Sequence, residues 1–196
     1  MPGQVVIFEG LNGTGKTTLS RAFAERWEVP IARPFRNREP DAHTSYDETE
    51  EERNLAALTV PIATPANDLY AADMIGKLRP PRVVLDRSLI TGLVYGNYDE
   101  EPAKSLRQWA REYYLECLTR HHSVVLFLLT AEYKTCRERV EATRPGRHPK
   151  KAEWSKLDKR YRHEVDKFSS MGVQVVKMST GGVTIETSLR RIERSV

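Results

Sequence analysis

The 196-residue sequence contains only two cysteines, Cys117 and Cys136, and no C-x-x-C spacing. Two isolated cysteines form neither a disulfide framework nor a zinc site, so we expect two reduced thiols. Long apolar runs are also lacking, and the strongest run, VVLFLL at Val124–Leu129, is far too short to span a membrane. A charged, glycine-rich loop follows soon after Met1, which is not the pattern of a secretory signal peptide. These features predict a cytoplasmic protein.

The sequence has little excess of one sign of charge over the other. The 31 basic and 27 acidic residues give a net charge of +4 with histidine neutral. This mild positive balance suits an anionic ligand and does not choose between a nucleotide and a nucleic acid. The composition is 39% hydrophobic and 30% charged, as in ordinary globular proteins, and the length predicts a single domain over residues 1–196.

Short apolar runs alternate with longer amphipathic stretches. The apolar runs predict buried strands at Val5–Phe8, Val83–Leu85, Ser123–Leu129 and Val173–Lys177, with a weaker strand at Val29–Ala32. The amphipathic stretches predict helices at Lys16–Trp27, Glu48–Leu58, Asn67–Leu78, Ala103–Arg120, Ala131–Ala142, Glu153–Met171 and Thr184–Ile192. This alternation is typical of an α/β fold, in which helices flank a parallel sheet on both faces.

A phosphate-binding loop is predicted between the first strand and the first helix. Residues 10–17 satisfy the pattern G-x-x-x-x-G-K-[ST] in its required position. Gly13 and Gly15 can adopt a positive φ, so that successive backbone N–H groups wrap phosphate oxygens. Lys16 can contact the β and γ phosphates of ATP, and the Thr17 hydroxyl can bind Mg²⁺. The loop therefore predicts a nucleotide-binding protein with ATP and Mg²⁺ as cofactors.

The second strand ends in Asp86, a carboxylate that can hold Mg²⁺ directly or through water. A hydrolytic ATPase often has a glutamate at the next position, whereas this chain has Arg87, and no N-K-x-D-like motif reads guanine. An arginine beside the metal carboxylate suits a second phosphate better than a water molecule. The alternative is a structural ion pair at the strand end. The balance favours phosphoryl transfer to a bound acceptor.

Four segments together resemble the thymidylate kinase family of P-loop nucleotide kinases, and the resemblance extends over most of the chain. They are FEGLNGTGKTT at residues 8–18, REP at Arg38–Pro40, LYAADM at Leu69–Met74 and DRSLITGLVYG at Asp86–Gly96. The resemblance implies a P-loop kinase fold with a five-stranded parallel sheet. It also implies a homodimer and a mobile basic lid, here at about residues 142–152.

The resemblance further implies roles for individual residues. ATP would contact loop residues Gly10, Asn12, Gly13, Thr14, Gly15, Lys16, Thr17 and Thr18. The acceptor would lie among Glu9, Arg38, Tyr70, Asp73, Met74, Arg87 and Tyr95. Within that set the arginines would hold the acceptor phosphate, Tyr70 would stack on the base and Tyr95 would contact the sugar. Gly13 stands where some relatives carry an arginine, so Arg144 or Arg147 of the lid would supply the transition-state charge.

Three positions depart from the family pattern. Met74 stands in place of a base-reading arginine, Gly96 in place of a glutamine and Asn12 in place of an acidic residue. The first two changes remove hydrogen bonds that discriminate thymine and leave a roomier pocket. The sequence therefore predicts the class of reaction, phosphoryl transfer, but does not predict which base the acceptor carries.

Three functions remain as hypotheses. The first is ATP-dependent phosphorylation of a nucleoside monophosphate, with dTMP or a related pyrimidine monophosphate as the leading acceptor. The second is phosphorylation of a hydroxyl on a nucleoside or on a modified pyrimidine base in DNA. The third is a non-catalytic nucleotide-binding module, which the combination of Lys16, Thr17, Asp86 and a basic lid disfavours.

Other polar and aromatic residues have more than one interpretation. Glu9 is expected either to tune the metal site or to accept hydrogen bonds from loop amides. Glu164 and Asp166 are expected on a solvated helix face, with pairing to lid arginines as the alternative. Trp27, Trp109 and Trp154 are predicted to be core or interface residues.

Overall fold

A computed structural model describes residues 3–32, 82–96 and 103–196. The predicted helices Glu48–Leu58 and Asn67–Leu78 lie outside these ranges. The described strands are β1 Gly3–Glu9, β2 Ile31–Ala32, β3 Arg82–Asp86, β4 His122–Thr130 and β5 Gln174–Ser179. The described helices are α1 Lys16–Trp27, α2 Leu89–Tyr95, α3 Ala103–His121, α4 Tyr133–Thr143, α5 Lys151–Ser170 and α6 Ile185–Glu193.

The five strands form one parallel sheet in the order β2-β3-β1-β4-β5. Strand β1 is central, and its Phe8 aligns with Asp86 of β3 on one side and with Phe127 of β4 on the other. The carboxyl ends of these three strands therefore lie at the same edge of the sheet. The predicted α/β fold with a five-stranded parallel sheet is confirmed.

Two hydrophobic cores lie on opposite faces of the sheet, because successive side chains of a strand point to opposite sides. Val5 and Ile7 of β1 belong to the core on one face, which also contains buried residues of α2, α3 and α5. Val6 and Phe8 belong to the core on the other face, together with buried residues of α1 and α6. Helices packed on both faces hold the carboxyl ends of the central strands in fixed positions. A binding site at this edge of the sheet would need such a rigid support.

Most predicted elements begin and end within two residues of the observed ones, and α1 matches its prediction at both ends. The seven-residue helix α2 was not predicted. It begins after Ser88, whose hydroxyl accepts a hydrogen bond from the Ile90 N–H at 3.3 Å. Strand β5 begins one residue later and ends two residues later than predicted. No helix in the described ranges combines the length and apolar character that crossing a bilayer needs.

The prediction that Glu164 lies on a solvated face is wrong. Glu164 is completely buried, and its carboxylate is paired with Arg107 and with Arg111 of α3, the latter at 2.8 Å. In α5 the buried positions are Tyr161, Glu164, Val165 and Phe168, a helical spacing that directs one stripe toward the core. Asp166, on the opposite side, is exposed and pairs with Lys177 at 2.8 Å.

Replacing Glu164 with glutamine should destabilise the fold strongly. The change leaves two partly or fully buried guanidinium groups without their carboxylate, a loss that costs about 3–5 kcal/mol in comparable buried pairs. The matched control is Asp166→Asn, because that carboxylate belongs to an exposed pair, and such pairs contribute about 0–1 kcal/mol. Denaturant unfolding of both variants measures the difference. Equal stabilities for the two variants would show that the buried pair is dispensable.

The three tryptophans have different environments. Trp154 packs partly buried against the first core, whereas Trp27 and Trp109 are 43% and 51% exposed. Trp27 contacts Phe23 and lies 4.6 Å from the Arg82 guanidinium, and Trp109 stacks on Tyr113 with ring centroids 5.3 Å apart. Trp27 and Trp109 are therefore not core residues, and of the predicted core or interface positions the interface alternative stays a prediction for these two.

Candidate active site at the carboxyl ends of β1 and β3

The loop between β1 and α1 has the conformation that phosphate binding requires. Gly13 and Gly15 have φ angles of 84° and 87°, in the left-handed region that favours glycine. Gly15 is the residue before α1, and it offers no side chain to cap the first N–H groups of that helix. The first turn of α1 also contains no acidic residue. Free N–H groups and an uncompensated helix dipole make this end of α1 attractive to an anion.

Lys16 is nearly buried, with 4% of its surface exposed. Its ammonium group donates a hydrogen bond to the Leu11 carbonyl at 2.7 Å, so it lies inside the loop. Burial lowers the pKa of Lys16 well below its ordinary value, and the neighbouring positive charge of Arg87 lowers it further. Two cationic side chains therefore converge on this end of the sheet, which is an arrangement that phosphate oxygens would stabilise.

Gly13 packs against the backbone of α4. A Cβ atom at this position would lie 2.4 Å from the Cys136 carbonyl oxygen, closer than two such atoms can approach. The loop therefore cannot carry an arginine, or any other side chain, at Gly13 without a shift of the backbone.

Arg139 of α4 touches the loop at the same point. Its guanidinium donates to the Gly13 carbonyl at 3.1 Å, to the Thr180 hydroxyl at 3.2 Å and to the Thr180 carbonyl at 2.9 Å. The Thr180 hydroxyl in turn donates to the Thr14 carbonyl at 2.9 Å. Arg139 and Thr180 thus join the phosphate-binding loop to the segment after β5.

Arg87 follows the end of β3 in a conformation that is rare for a residue with a side chain. Its φ is 85°, in the left-handed region, and its N–H donates to the Phe8 carbonyl at 3.1 Å. Such backbone strain is concentrated at functional sites. The guanidinium donates to the Asn12 amide oxygen at 2.7 Å and to the Thr91 hydroxyl at 3.3 Å. The strained backbone therefore places Arg87 against the phosphate-binding loop.

The buried carboxylate of Glu9 organises the start of α2. One oxygen accepts hydrogen bonds from the Ser88 N–H at 2.6 Å, the Ser88 hydroxyl at 2.8 Å and the Thr91 N–H at 3.3 Å. The other oxygen accepts from the Thr91 hydroxyl at 2.8 Å. Burial raises the pKa of the Glu9 carboxyl, and the charge of Arg87 opposes that rise. Of the two interpretations of Glu9, the structure supports hydrogen bonding to backbone amides.

A chain of hydroxyl groups extends this network to α5. The Tyr161 and Thr91 hydroxyl oxygens are 3.0 Å apart. When Glu9 is ionised, the single proton of Thr91 is donated to Glu9, so Tyr161 is the donor to Thr91. The ring of Tyr95, the last residue of α2, meets that of Tyr161 edge-on at 6.2 Å, and Tyr95 is 43% exposed. Glu9, Arg87, Thr91 and Tyr161 therefore form one connected group.

The two oxygen donors that the sequence predicts for magnesium are Asp86 and Thr17. Asp86 ends β3 and is 4% exposed, and Thr17 lies in the first turn of α1, beside Lys16. Asp86 acts electrostatically on Lys16, which places the carboxylate near the same loop. A carboxylate and a hydroxyl fit the preference of Mg²⁺ for a few hard oxygen ligands completed by water and phosphate.

The structure brings together some of the predicted site residues and not others. Glu9, Asn12, Lys16, Asp86 and Arg87 converge at one edge of the sheet. Arg144 and Arg147 lie exposed in the loop between α4 and α5, and among the described residues no hydrogen bond connects their side chains to the phosphate-binding loop. Thr18 is exposed on α1. The other predicted acceptor residues lie outside the described residues; they are Arg38, Tyr70, Asp73 and Met74.

Sequence reasoning missed three residues of the site, namely Thr91, Arg139 and Tyr161. None belongs to a recognised motif as a functional position, and their partners are distant in sequence. Thr91 contacts Glu9 across 82 positions, Tyr161 contacts Thr91 across 70, and Arg139 contacts Gly13 across 126. Thr91 and Tyr161 are polar residues at buried positions of α2 and α5, a pattern that the sequence could have signalled, whereas Arg139 is only partly buried.

The fold and the loop together define a P-loop kinase type of α/β protein, and a family profile agrees with this class. The profile described as an AAA domain matches residues 5–184. The chain therefore belongs to that AAA domain family. Comparison with curated protein sequences gives no significant match.

Several solved structures share the fold at low sequence identity. Deoxyadenosine kinase from M. mycoides, with the product dCMP and a flexible dCDP bound, is 17% identical with a TM-score of 0.58, covering 97% of both chains. The YorR protein of Bacillus subtilis, in complex with phosphorylated GDP, is 14% identical with a TM-score of 0.56, covering 97% of this chain and 94% of its own. Thymidylate kinase from Candida albicans is 15% identical with a TM-score of 0.58, and the match covers 98% of this chain and 90% of the thymidylate kinase chain.

Proposed function

We propose that the protein transfers the γ-phosphoryl group of ATP to a deoxynucleoside or nucleoside monophosphate. The leading acceptor is dTMP or a related pyrimidine monophosphate. The observation that carries the proposal is the position of Arg87, whose strained backbone holds a guanidinium beside the phosphate-binding loop and near Lys16. A second fixed cation at this point suits a second phosphate, which a monophosphate acceptor supplies and water does not.

The donor side of the site would be the loop itself. Backbone N–H groups at Gly13–Lys16 and the start of α1 would hold the phosphates, with Lys16 against the β and γ groups. Thr17 and Asp86 would hold Mg²⁺, which supplies positive charge to the β and γ phosphate oxygens when it is bound. Asn12 and Thr18 would complete the loop contacts.

The acceptor side would lie between Arg87 and the residues that the resemblance to thymidylate kinases assigns. Arg38 would join Arg87 on the acceptor phosphate, Tyr70 would stack on the base and Tyr95 would lie against the sugar. Glu9 supports this side indirectly, since it fixes Thr91, which holds Arg87. Two structures of the same fold are kinases of deoxynucleosides or of thymidylate by name, which makes a nucleoside-based acceptor the natural one to test.

The reaction would be an in-line displacement at the γ phosphorus. An oxygen of the acceptor phosphate would form a bond to the γ phosphorus. At the same time the bond between the γ phosphorus and the oxygen that bridges the β and γ phosphates would break, and its electron pair would leave with ADP. The residues contribute positioning and neutralisation of charge more than covalent chemistry. Lys16 would stabilise the transferring group, and Arg144 or Arg147 would approach it from the lid, a type of contribution worth roughly 10³–10⁵ in rate.

A hydroxyl acceptor is the second candidate, and the likeness to deoxyadenosine kinase favours it. That reaction profits from a carboxylate that accepts the hydroxyl proton. Glu9 is the carboxylate at this strand end, but it is fully buried and already accepts four hydrogen bonds from Ser88 and Thr91. Because the oxygens of Glu9 already accept these hydrogen bonds, Glu9 is poorly placed to accept a proton from a hydroxyl acceptor. We therefore rank a monophosphate acceptor above a hydroxyl acceptor.

A labelled transfer assay tests the proposal directly. ATP labelled at the γ phosphate is offered with each nucleoside, each nucleoside monophosphate, plain DNA and DNA containing hydroxymethylated pyrimidines. We expect label in one monophosphate or a small group of them. Label found only in a nucleoside or in DNA would establish the second candidate, and label released only as inorganic phosphate would refute both. Protein with Lys16→Ala, prepared in parallel, controls for contaminating kinases.

A further inference from the structure

The hydroxyl group of Thr91 is the point at which side chains from three other parts of the site meet. Its oxygen lies 2.8 Å from Oε2 of Glu9, at the end of β1, and 3.0 Å from the Tyr161 hydroxyl of α5. Arg87, just after β3, donates to the same oxygen from Nη1 at 3.3 Å. Thr91 is 9% exposed and Tyr161 is 1% exposed, so water has little access to these contacts.

The three partners together use the whole hydrogen-bonding capacity of the Thr91 hydroxyl, which is one donated and two accepted bonds. The other oxygen of Glu9 already accepts three hydrogen bonds, as an ionised carboxylate does, and an ionised carboxylate can only accept. The proton of Thr91 is therefore donated to Glu9. A guanidinium can only donate, so Arg87 takes one lone pair of Thr91, and the Tyr161 hydroxyl donates to the other.

Tyr161 determines which lone pair of Thr91 receives Arg87. Burial raises the pKa of Tyr161 well above its ordinary value, so the phenol keeps the proton that it donates. If this donor were removed, Thr91 would have a second lone pair without a donor in a buried place, which is unfavourable. That lone pair would compete for the Arg87 N–H, and the guanidinium would no longer have a single position beside the phosphate-binding loop.

We infer that Tyr161 is a positioning residue for the acceptor, acting on Arg87 through the Thr91 hydroxyl. Tyr161 belongs to α5, the helix that follows the predicted lid. Its ring also meets that of Tyr95, the predicted sugar contact, at 6.2 Å. Tyr161 would thus support the acceptor at its phosphate and at its sugar. The inference rests on the proposed function, because it requires Arg87 to hold an acceptor phosphate.

Three substitutions isolate the hydroxyl groups. Tyr161→Phe removes the donor and keeps the ring that meets Tyr95. Thr91→Val removes the shared hydroxyl at nearly constant shape, whereas Thr91→Ser retains that hydroxyl and loses only a methyl group. The matched control is Tyr114→Phe, because Tyr114 is a buried tyrosine of the same hydrophobic core and packs against Phe168.

The measurement is kcat/KM for the best monophosphate acceptor at saturating ATP, together with the KM for ATP. We expect kcat/KM to fall roughly three- to tenfold in Tyr161→Phe, as for one neutral hydrogen bond, and about ten- to a hundredfold in Thr91→Val, which loses a bond to a charged group. Thr91→Ser should keep most of the activity. The KM for ATP should change little in all three variants, because Arg87 is assigned to the acceptor.

A double-mutant cycle with Arg87→Ala separates positioning from a general effect on the core. If Tyr161 acts through Arg87, adding Tyr161→Phe to Arg87→Ala should cause no further loss of kcat/KM, because the positioned group is already absent. If Tyr161 only stabilises the core, Tyr161→Phe should cause the same fold-loss with and without Arg87. Tyr114→Phe should stay within about twofold of its parent in both backgrounds.

The outcomes distinguish this inference from the proposed function. If the natural protein uses monophosphates and Tyr161→Phe has no effect, or the same effect with and without Arg87, the inference is wrong while the proposed function stands. If the natural protein phosphorylates no monophosphate, the proposed function fails and the inference fails with it. Thermal unfolding of each variant shows whether a change in kcat/KM reflects loss of the fold, and Tyr161→Phe carries the test if Thr91→Val does not fold.

Discussion

Replacing Lys16 with alanine should reduce phosphoryl transfer to every acceptor by about 10³-fold or more. Lys16 is held inside the loop by the Leu11 carbonyl, 2.7 Å away, and is 4% exposed. Its charge would act where negative charge develops on the transferring group, in surroundings that screen it poorly. Lys16 would stabilise the transition state more than it stabilises bound ATP. The loss of activity should therefore appear mainly as a lower kcat.

The matched control is Lys134→Ala, which removes a lysine from the exposed side of α4. Its turnover should stay within a factor of two or so of the natural protein, as for most surface changes. Rates are measured with labelled ATP and the best acceptor, and thermal unfolding verifies the fold of each variant. Substantial turnover in a folded Lys16→Ala protein would refute the assignment of the loop.

Replacing Arg87 with alanine should lower kcat/KM for a monophosphate acceptor by roughly 10²–10³-fold, the usual loss when one partner of a buried, charged hydrogen-bond pair is removed. The same change should affect an unphosphorylated nucleoside much less, because that molecule has no phosphate for the guanidinium. Affinity for ATP should change least, since Arg87 is assigned to the acceptor. The diagnostic result is therefore the unequal loss across acceptors.

Arg191→Ala controls for the loss of one positive charge, since Arg191 is exposed near the end of α6. Arg87→Lys tests geometry, because an ammonium keeps the charge but lacks the planar fork in which two separate nitrogens reach Thr91 and Asn12. We expect Arg87→Lys to recover only part of the activity. An equal loss for nucleosides and monophosphates in Arg87→Ala would instead assign the arginine a purely structural role.

The fold could be predicted from the sequence where the signal is local. The limits of α1 follow from a glycine loop before an amphipathic stretch, and the buried strands follow from short runs of β-branched and apolar residues. Helix α2 escaped prediction because its seven residues, LITGLVY, include a glycine and β-branched residues with low helix propensity. Tertiary contacts form it, chiefly the hydrogen bonds that Glu9 accepts from Ser88 and Thr91.

In the candidate site, too, the residues of local motifs could be predicted and the residues brought in by tertiary contacts could not. Lys16, Thr17, Asp86 and Arg87 could be named because they belong to short motifs at the ends of strands. The partners that position them could not, since Thr91, Arg139 and Tyr161 acquire their roles only when the sheet brings distant segments together. Glu164 shows the converse error, because a charged helix face was predicted to be solvated and part of it is a buried ion pair.

The left-handed backbone of Arg87 implies a conflict between folding and chemistry at one position. A conformation of this kind costs of order 1–3 kcal/mol in a residue other than glycine, asparagine or aspartate. Glycine at position 87 would adopt φ of 85° without this conformational penalty, although it would lose the hydrogen bonds that Arg87 donates to Asn12 and Thr91. If Arg87 holds the acceptor phosphate as proposed, a substitution that relieves this strain would also inactivate the protein. Any effort to make this protein more heat-resistant should leave that strain in place.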